Sequence, residues 1–321
     1  MALIEPILDK KTSERVRRQI ESGGVNVGNE IFKWTLLGSL LFALLVLSIL
    51  LYDVITGSWP VFTDRLGLFL ANPTRVSPFE SGVFQGMRGT FWIGIFVICL
   101  TFPVGIAAAV YLEEYASDNW FTRMIDVNIR NLAGVPSVVY GILGLTVFVT
   151  LLDGVVGDRG ISKGNTTTAG GLTLAILALP VVIITSAEAI RAVPDSLREA
   201  AYGVGATKSE VIRSHILPYA APGILTGTLL SLARALGEAA PLILVGAVQG
   251  KLGPRTGFLE PAQLGEKFTA MPIVITDFAK QPGADWQPVT SAAIVILLLI
   301  VLGFNAAAVL LRNRFESKRE G

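Results

Sequence analysis

Arg234 and Glu238 are the only charged residues between Pro218 and Val248. On a helix rising about 1.5 Å per residue, Arg234 lies about 24 Å past Pro218, well inside a bilayer. An isolated charge at that depth costs about 2.5–3.5 kcal/mol on the insertion scale, so it must face a partner or a wet cavity. Glu238, one turn further on, shares its helix face and can neutralise it. Two readings follow from these residue types. In one, the pair is a salt bridge that only holds a helix bundle together. In the other, Arg234 meets a hydrated oxyanion on its path, because the planar, permanently charged guanidinium fork matches oxyanion geometry. Glu238 then holds Arg234 in place when the path is empty, or accepts a hydrogen bond from a protonated anion.

A second group of residues suits protein recognition. The polar stretch from Arg191 to Leu217 separates two apolar runs and contains Glu199, Ala200, Ala201 and Gly205. Pro194 ends the preceding helix at or before Val193. Ser196 and Glu199 have capping-box spacing, which predicts a short helix from Leu197 to Val204. Gly205 stands where a left-handed C-terminal cap is wanted. Thr207 and Glu210 repeat the capping box and open a second helix through Leu217, with Pro218 starting the next span. The two helices form a compact knob. Glu199 caps its own helix, presents its carboxylate to a groove in another protein, or does both. Glu188, one turn before Arg191, belongs to the inner mouth of a pathway or is an interfacial charge.

These groups need an apolar scaffold, and the composition supplies one. Of 321 residues, 52% are hydrophobic and 16% charged, against about 25% charged in soluble domains. The 33 glycines suit close helix packing in lipid. Six runs reach the roughly 20 apolar residues that cross a bilayer: 34–56, 90–112, 132–152, 169–190, 218–248 and 288–311. They define an all-α polytopic membrane protein of six transmembrane helices. It comprises an N-terminal segment 1–33, a transmembrane domain 34–311 and a tail 312–321. Both ends carry short basic clusters, which places both in the cytosol. The loop at 195–217 then lies inside, and the connections 57–88 and 249–287 lie outside. Residues 113–131 read as a mixed-charge loop, and 153–168 as a short polar turn.

Several chemistries are not expected. A net charge of +1 gives no case for nucleic acid. Cys99 is the only cysteine and His215 the only histidine, so neither an internal disulfide nor a metal centre is expected. Cys99 reads as a small core or lipid-facing residue. Gly203–Ser209 invites comparison with a phosphate-cradling loop. It has Thr207 ahead of Lys208 and no strand before it, so the chain is not expected to hydrolyse ATP itself.

Glu199-Ala200-Ala201, with Gly205 four residues on and Ile216-Leu217-Pro218 downstream, is similar to the EAA loop of ATP-binding-cassette (ABC) importer permeases. Tyr111-Leu-Glu-Glu-Tyr115, the run Asn131–Gly141 and the run Ala233–Pro241 resemble the permeases of phosphate (Pst) importers. The Gly-Glu-Ala-Ala-Pro ending resembles the PstA-type subunit more than its PstC-type partner. These motifs run from the second span to the fifth. The resemblance implies a type I ABC importer permease fold in a bacterial cytoplasmic (inner) membrane. It implies Glu199, Ala200, Ala201 and Gly205 as the coupling element for an ATPase, and Arg234 and Glu238, with Glu188 more remotely, on a phosphate path. The implied partners are a second, PstC-type permease, a PstB-type ATPase dimer, an extracytoplasmic PstS-type binding protein and membrane lipid. No cofactor is expected on this chain, with ATP and Mg on the ATPase. Relatives with a further arginine around Ile184 and Thr185 are expected, and this chain has none there. Two competing readings are a permease for another oxyanion or solute, and an ion-driven secondary transporter. The latter predicts inverted repeats and paired broken helices, which the sequence does not display.

Overall fold

The computed structural model describes residues 27–151, 165–248, 257–260 and 264–316. The basic N-terminal cluster, most of the polar turn at 153–168, part of the 249–287 connection and the end of the tail lie outside the described residues. The chain divides into two compact units, residues 1–53 and 54–321.

In the first unit the described residues belong to helix α1, Val27–Asp64. From Trp34 to Tyr52 this helix has no charged residue, which gives it the length and composition of a membrane span. It does not stop near Thr56 as expected. It continues through Pro60 into the second unit, where Val61 is buried in the core. Proline is tolerated here as in other membrane helices, where neighbouring groups re-satisfy the freed backbone.

The second unit contains the remaining helices. After the short α2 (Leu66–Ala71), α3 runs from Phe84 to Val110 and continues as a π-turn over Tyr111–Tyr115. Helix α4 is Trp120–Ala133. Helix α5 is Ser137–Gly144, continued in π geometry to Leu151. Next come α6 (Thr167–Arg191), α7 (Asp195–Gly203) and α8 (Lys208–Val211), followed by a π-segment Ile212–Ile216 that leads into α9 (Leu217–Gly237). Helices α10 (Ala240–Leu244), α11 (Met271–Lys280) and α12 (Trp286–Glu316) complete the order.

Among the described residues, five helices are long and apolar enough to cross a membrane. Helices α4 and α5 together pass the same test although they meet at 101°. The third apolar run is therefore sharply bent at its start rather than straight, and residues 120–133 are a helix where a loop was expected. Asn119 caps α4 by accepting the Thr122 N–H at 2.9 Å. The break falls at Gly134-Val135-Pro136, where proline cannot continue the ladder of the helix before it.

Helix α6 is the axis of this unit, packed against α3, α9, α4 and α5. Small residues allow the approach. A Cβ on Gly227 of α9 would lie 2.3 Å from Thr185 Cβ, and one on Gly223 would lie 2.8 Å from Ala189 Cβ. This is the small-xxx-small device by which membrane helices pack closely. The Thr185 contact also accounts for the absence of a bulky side chain at that position. The 249–287 connection is not all loop, because Met271, Ile273 and Phe278 of α11 are fully buried.

Candidate functional site

Arg234 sits in the last turn of α9. The expected unbroken fifth span is not found. Helix α9 stops at Gly237, and Glu238 is extended (φ −80°, ψ 120°). The cause is Pro241, four residues on. A continuous helix would need its missing N–H to reach the Gly237 carbonyl and would drive its ring into that carbonyl. Pro241 instead opens α10, and its Cα lies 2.7 Å from where a Cβ on Gly141 of α5 would stand.

Arg234 and Glu238 consequently do not stack along one helix face. Their closest approach is 4.0 Å, with side chains 60% and 23% exposed. Neither side chain makes a hydrogen bond among the described residues. Arg234 borders a cavity of about 10 Å³ together with Val135, Ser137, Tyr140, Ala178 and Ser231, room for about one water. Tyr140 donates its hydroxyl to the Leu132 carbonyl at 2.8 Å and pins the α4–α5 elbow. Ser231 donates to the Ala178 carbonyl of α6 at 3.2 Å. The arginine is thus presented at a junction of four helices, beside hydroxyl groups and a broken span.

Glu188 is not part of this junction. It lies on α6 about 10 Å beyond Val181, two turns past the cavity lining. There it is 60% exposed and 3.9 Å from Arg130.

The second candidate element is the α7–α8 knob. Its first cap differs from expectation. Helix α7 begins at Asp195, Pro194 occupies the cap position, and no side chain closes a capping box. Proline's fixed φ starts the helix two residues early, which leaves Ser196 inside the first turn. The second box is present: Thr207 accepts the Glu210 N–H, and Glu210 accepts the Thr207 N–H at 2.8 Å. The Thr207 backbone N–H and then its hydroxyl hold the Glu210 carboxyl below the usual glutamate range. Gly205 has φ +85°, the left-handed conformation that favours glycine at a helix end. The second helix of the knob does not end at Leu217 as expected, since Lys208–Gly237 is one continuous helical run.

Ala201 is buried with Val211, Ile212, Ile216, Ala187 and Ile190. Glu199 and Ala200 are exposed, as are Tyr202 and Val204, the latter at 85%. The knob is therefore anchored by Ala201 and shows an outward face with one carboxylate and two apolar side chains. Sequence reasoning missed what holds it from beneath. Arg198 donates to the Ile190 and Val193 carbonyls at 3.0 and 2.7 Å and to Glu114 at 3.1 Å. Arg191 pairs with Glu113 through two hydrogen bonds. The adjacent glutamates of Tyr111–Tyr115 were the available signal. Cys99 is exposed on α3.

Residues 101–317 match the family described as binding-protein-dependent transport system inner membrane component. The chain is 30% identical to the phosphate transport system permease protein PstA of Yersinia pestis, over 85% of each chain. It is 32% identical to PstA 1 of Mycobacterium tuberculosis, covering 85% of this chain and 84% of that one. A probable ABC transporter permease of Bacillus subtilis, YqgH, is 38% identical, but only over 52% of this chain and 53% of its own. Among solved structures, a bacterial alginate ABC transporter chain aligns with a TM-score of 0.62 at 17% identity, over 89% of this chain and 97% of that one. A chain of the MetNI methionine ABC transporter aligns at 0.52 and 19% identity, over 73% and 94%. The match over two thirds of the length and the PstA relatives aligned over most of it show that the chain belongs to the binding-protein-dependent transport system inner membrane components, as a multi-pass inner-membrane permease of the PstA type.

Proposed function

We propose that this chain is one of two permease subunits that form a translocation path for inorganic phosphate. The observation that carries this reading is Arg234. Its guanidinium is half-exposed inside an interrupted span, engaged by Glu238 only at 4.0 Å, and beside the hydroxyls of Ser137 and Tyr140. Such a fork has donors to spare for phosphate oxygens. The phosphate transport permeases to which the chain is similar over most of its length support that substrate.

The exposed face of α7 is the seat of an ATPase, and Glu199, Ala200 and Gly205 are its coupling residues, held in place by buried Ala201. ATP and Mg belong to that partner, and this chain binds no cofactor. A PstC-type permease completes the path, and a PstS-type binding protein delivers phosphate from outside. Both termini are cytosolic, as the basic clusters at each end favour. Glu188 belongs to the charged inner rim of the bundle rather than to the path.

The test is uptake of labelled phosphate against labelled sulfate in cells lacking their own phosphate importer and supplied with the complete transporter. Phosphate uptake that depends on this chain and is not displaced by excess sulfate is expected. Equal uptake of both anions would replace phosphate with a broader oxyanion class.

A further inference from the structure

We propose that the Tyr111–Tyr115 π-turn is the transmission joint of the permease, locking docking helix α7 to span α3. A movement imposed on α7 is then carried to the outer end of the bundle. The proposal rests on the reading that the ATPase seats on α7.

By chain connectivity alone, α7 follows α6 through Ala192-Val193-Pro194, with Pro194 extended at ψ 137°. A push on α7 could be absorbed at that bend. Two ion pairs bridge it. Arg198 on α7 reaches the Ile190 and Val193 carbonyls at the end of α6 and, with the same guanidinium, Glu114. Arg191, at the end of α6, takes Glu113. Glu114 is 8% exposed and Arg198 20%, so this pair is sheltered from water, unlike exposed pairs that contribute little.

The π geometry makes the double contact possible. On an α-helix, successive residues point about 100° apart. Here the Ala116 N–H bonds the Tyr111 carbonyl at 2.8 Å, which widens the turn and lets both neighbouring carboxylates meet arginines on separate helices. Such π-turns occur frequently at functional sites. Lys208 lies 5.1 Å over the Tyr115 ring and ties α8 to the same turn.

The far end of α3 is clamped as well. The Met271 N–H of α11 donates to the buried Thr90 hydroxyl at 2.8 Å. A Cβ on Gly89 would meet the Thr269 carbonyl oxygen at 1.8 Å, and one on Gly86 would meet Val274 at 2.9 Å. One helical run, Phe84–Tyr115, continuous across Pro103, thus joins the inner knob to the outer helix α11.

The experiment uses the complete transporter in proteoliposomes, with ATP hydrolysis and phosphate uptake measured together. Glu114→Gln is expected to keep the ATPase bound and hydrolysing while uptake per ATP falls by about tenfold or more, the scale of one lost charge-assisted bond. Unchanged uptake per ATP in Glu114→Gln would overturn the proposal. Glu199→Lys serves as a separate control. If it retains the ATPase, the docking reading fails on its own, whatever the Glu114 variants show. If Glu114→Gln does not assemble, Glu114→Cys with Arg198→Cys in a Cys99→Ser background, bridged by a short bifunctional thiol-alkylating reagent, decides the matter. Transport that survives bridging supports a joint closed throughout the cycle, and loss of transport on bridging overturns it.

Discussion

A guanidinium that reaches its carboxylate only at 4.0 Å, with no hydrogen bond between them, is loosely paired. On the function proposed above, its contribution to holding the bundle is small and the charge serves an anion. Glu238→Gln is accordingly expected to shift the thermal unfolding midpoint by no more than about 4 °C, the equivalent of about 1 kcal/mol in a chain of this size or larger. Thermal unfolding in detergent checks this, and a large destabilisation would restore the salt bridge as structural. Arg234 was legible from the sequence because a charge in an apolar run is conspicuous. Its geometry with Glu238 was not. The four-residue spacing presumes a continuous helix, and the effect of Pro241 falls four residues upstream, on Gly237.

At the scale of elements, the knob depends on one left-handed residue and one working cap. Gly205 has φ +85° and open space around its Cβ position, so a substitution there is opposed by backbone strain alone. Gly205→Val is expected to destabilise the knob by about 1–2 kcal/mol, with Gly205→Asn affected less. Co-purification of the ATPase with each variant measures it. The Glu210 cap predicts a pH effect whose sign follows from its lowered carboxyl pKa. The stabilisation is present above the ordinary glutamate value and is lost as pH falls through the depressed value. Hydrogen exchange of Thr207–Val211 should therefore rise on acidification through that window, more in wild type than in Glu210→Gln. The sequence showed two equal capping boxes. Only Thr207–Glu210 forms, because Pro194 starts α7 ahead of Ser196. Helix α4 was hidden by its mixture of charges with Trp120, Phe121 and Val127, which are exposed in the structure. The π-turn at Tyr111–Tyr115 has no sequence signature.

For the whole molecule, hydropathy was enough to place the apolar runs, because uninterrupted spans are a bulk property. Missed were α11, whose Met271, Ile273 and Phe278 are buried by protein rather than lipid, and the elbow at Gly134–Pro136, which a sum over hydropathy does not register. The bundle itself depends on close approach of α6 and α9. Gly227→Leu would force a side chain into Thr185, an overpacking worth about 1–3 kcal/mol. The expected outcome is a reduced level of assembled transporter in membranes, measured by quantitative immunoblot, with Gly227→Ala intermediate. The central claim is that phosphate passes Arg234, driven by an ATPase seated on α7. Its most direct test is ATP-dependent phosphate uptake by membranes with matched transporter levels, comparing wild type, Arg234→Ala and Glu199→Lys. The account predicts that Arg234→Ala loses uptake with the complex intact, and that Glu199→Lys loses it by releasing the ATPase. Normal uptake by Arg234→Ala would contradict it.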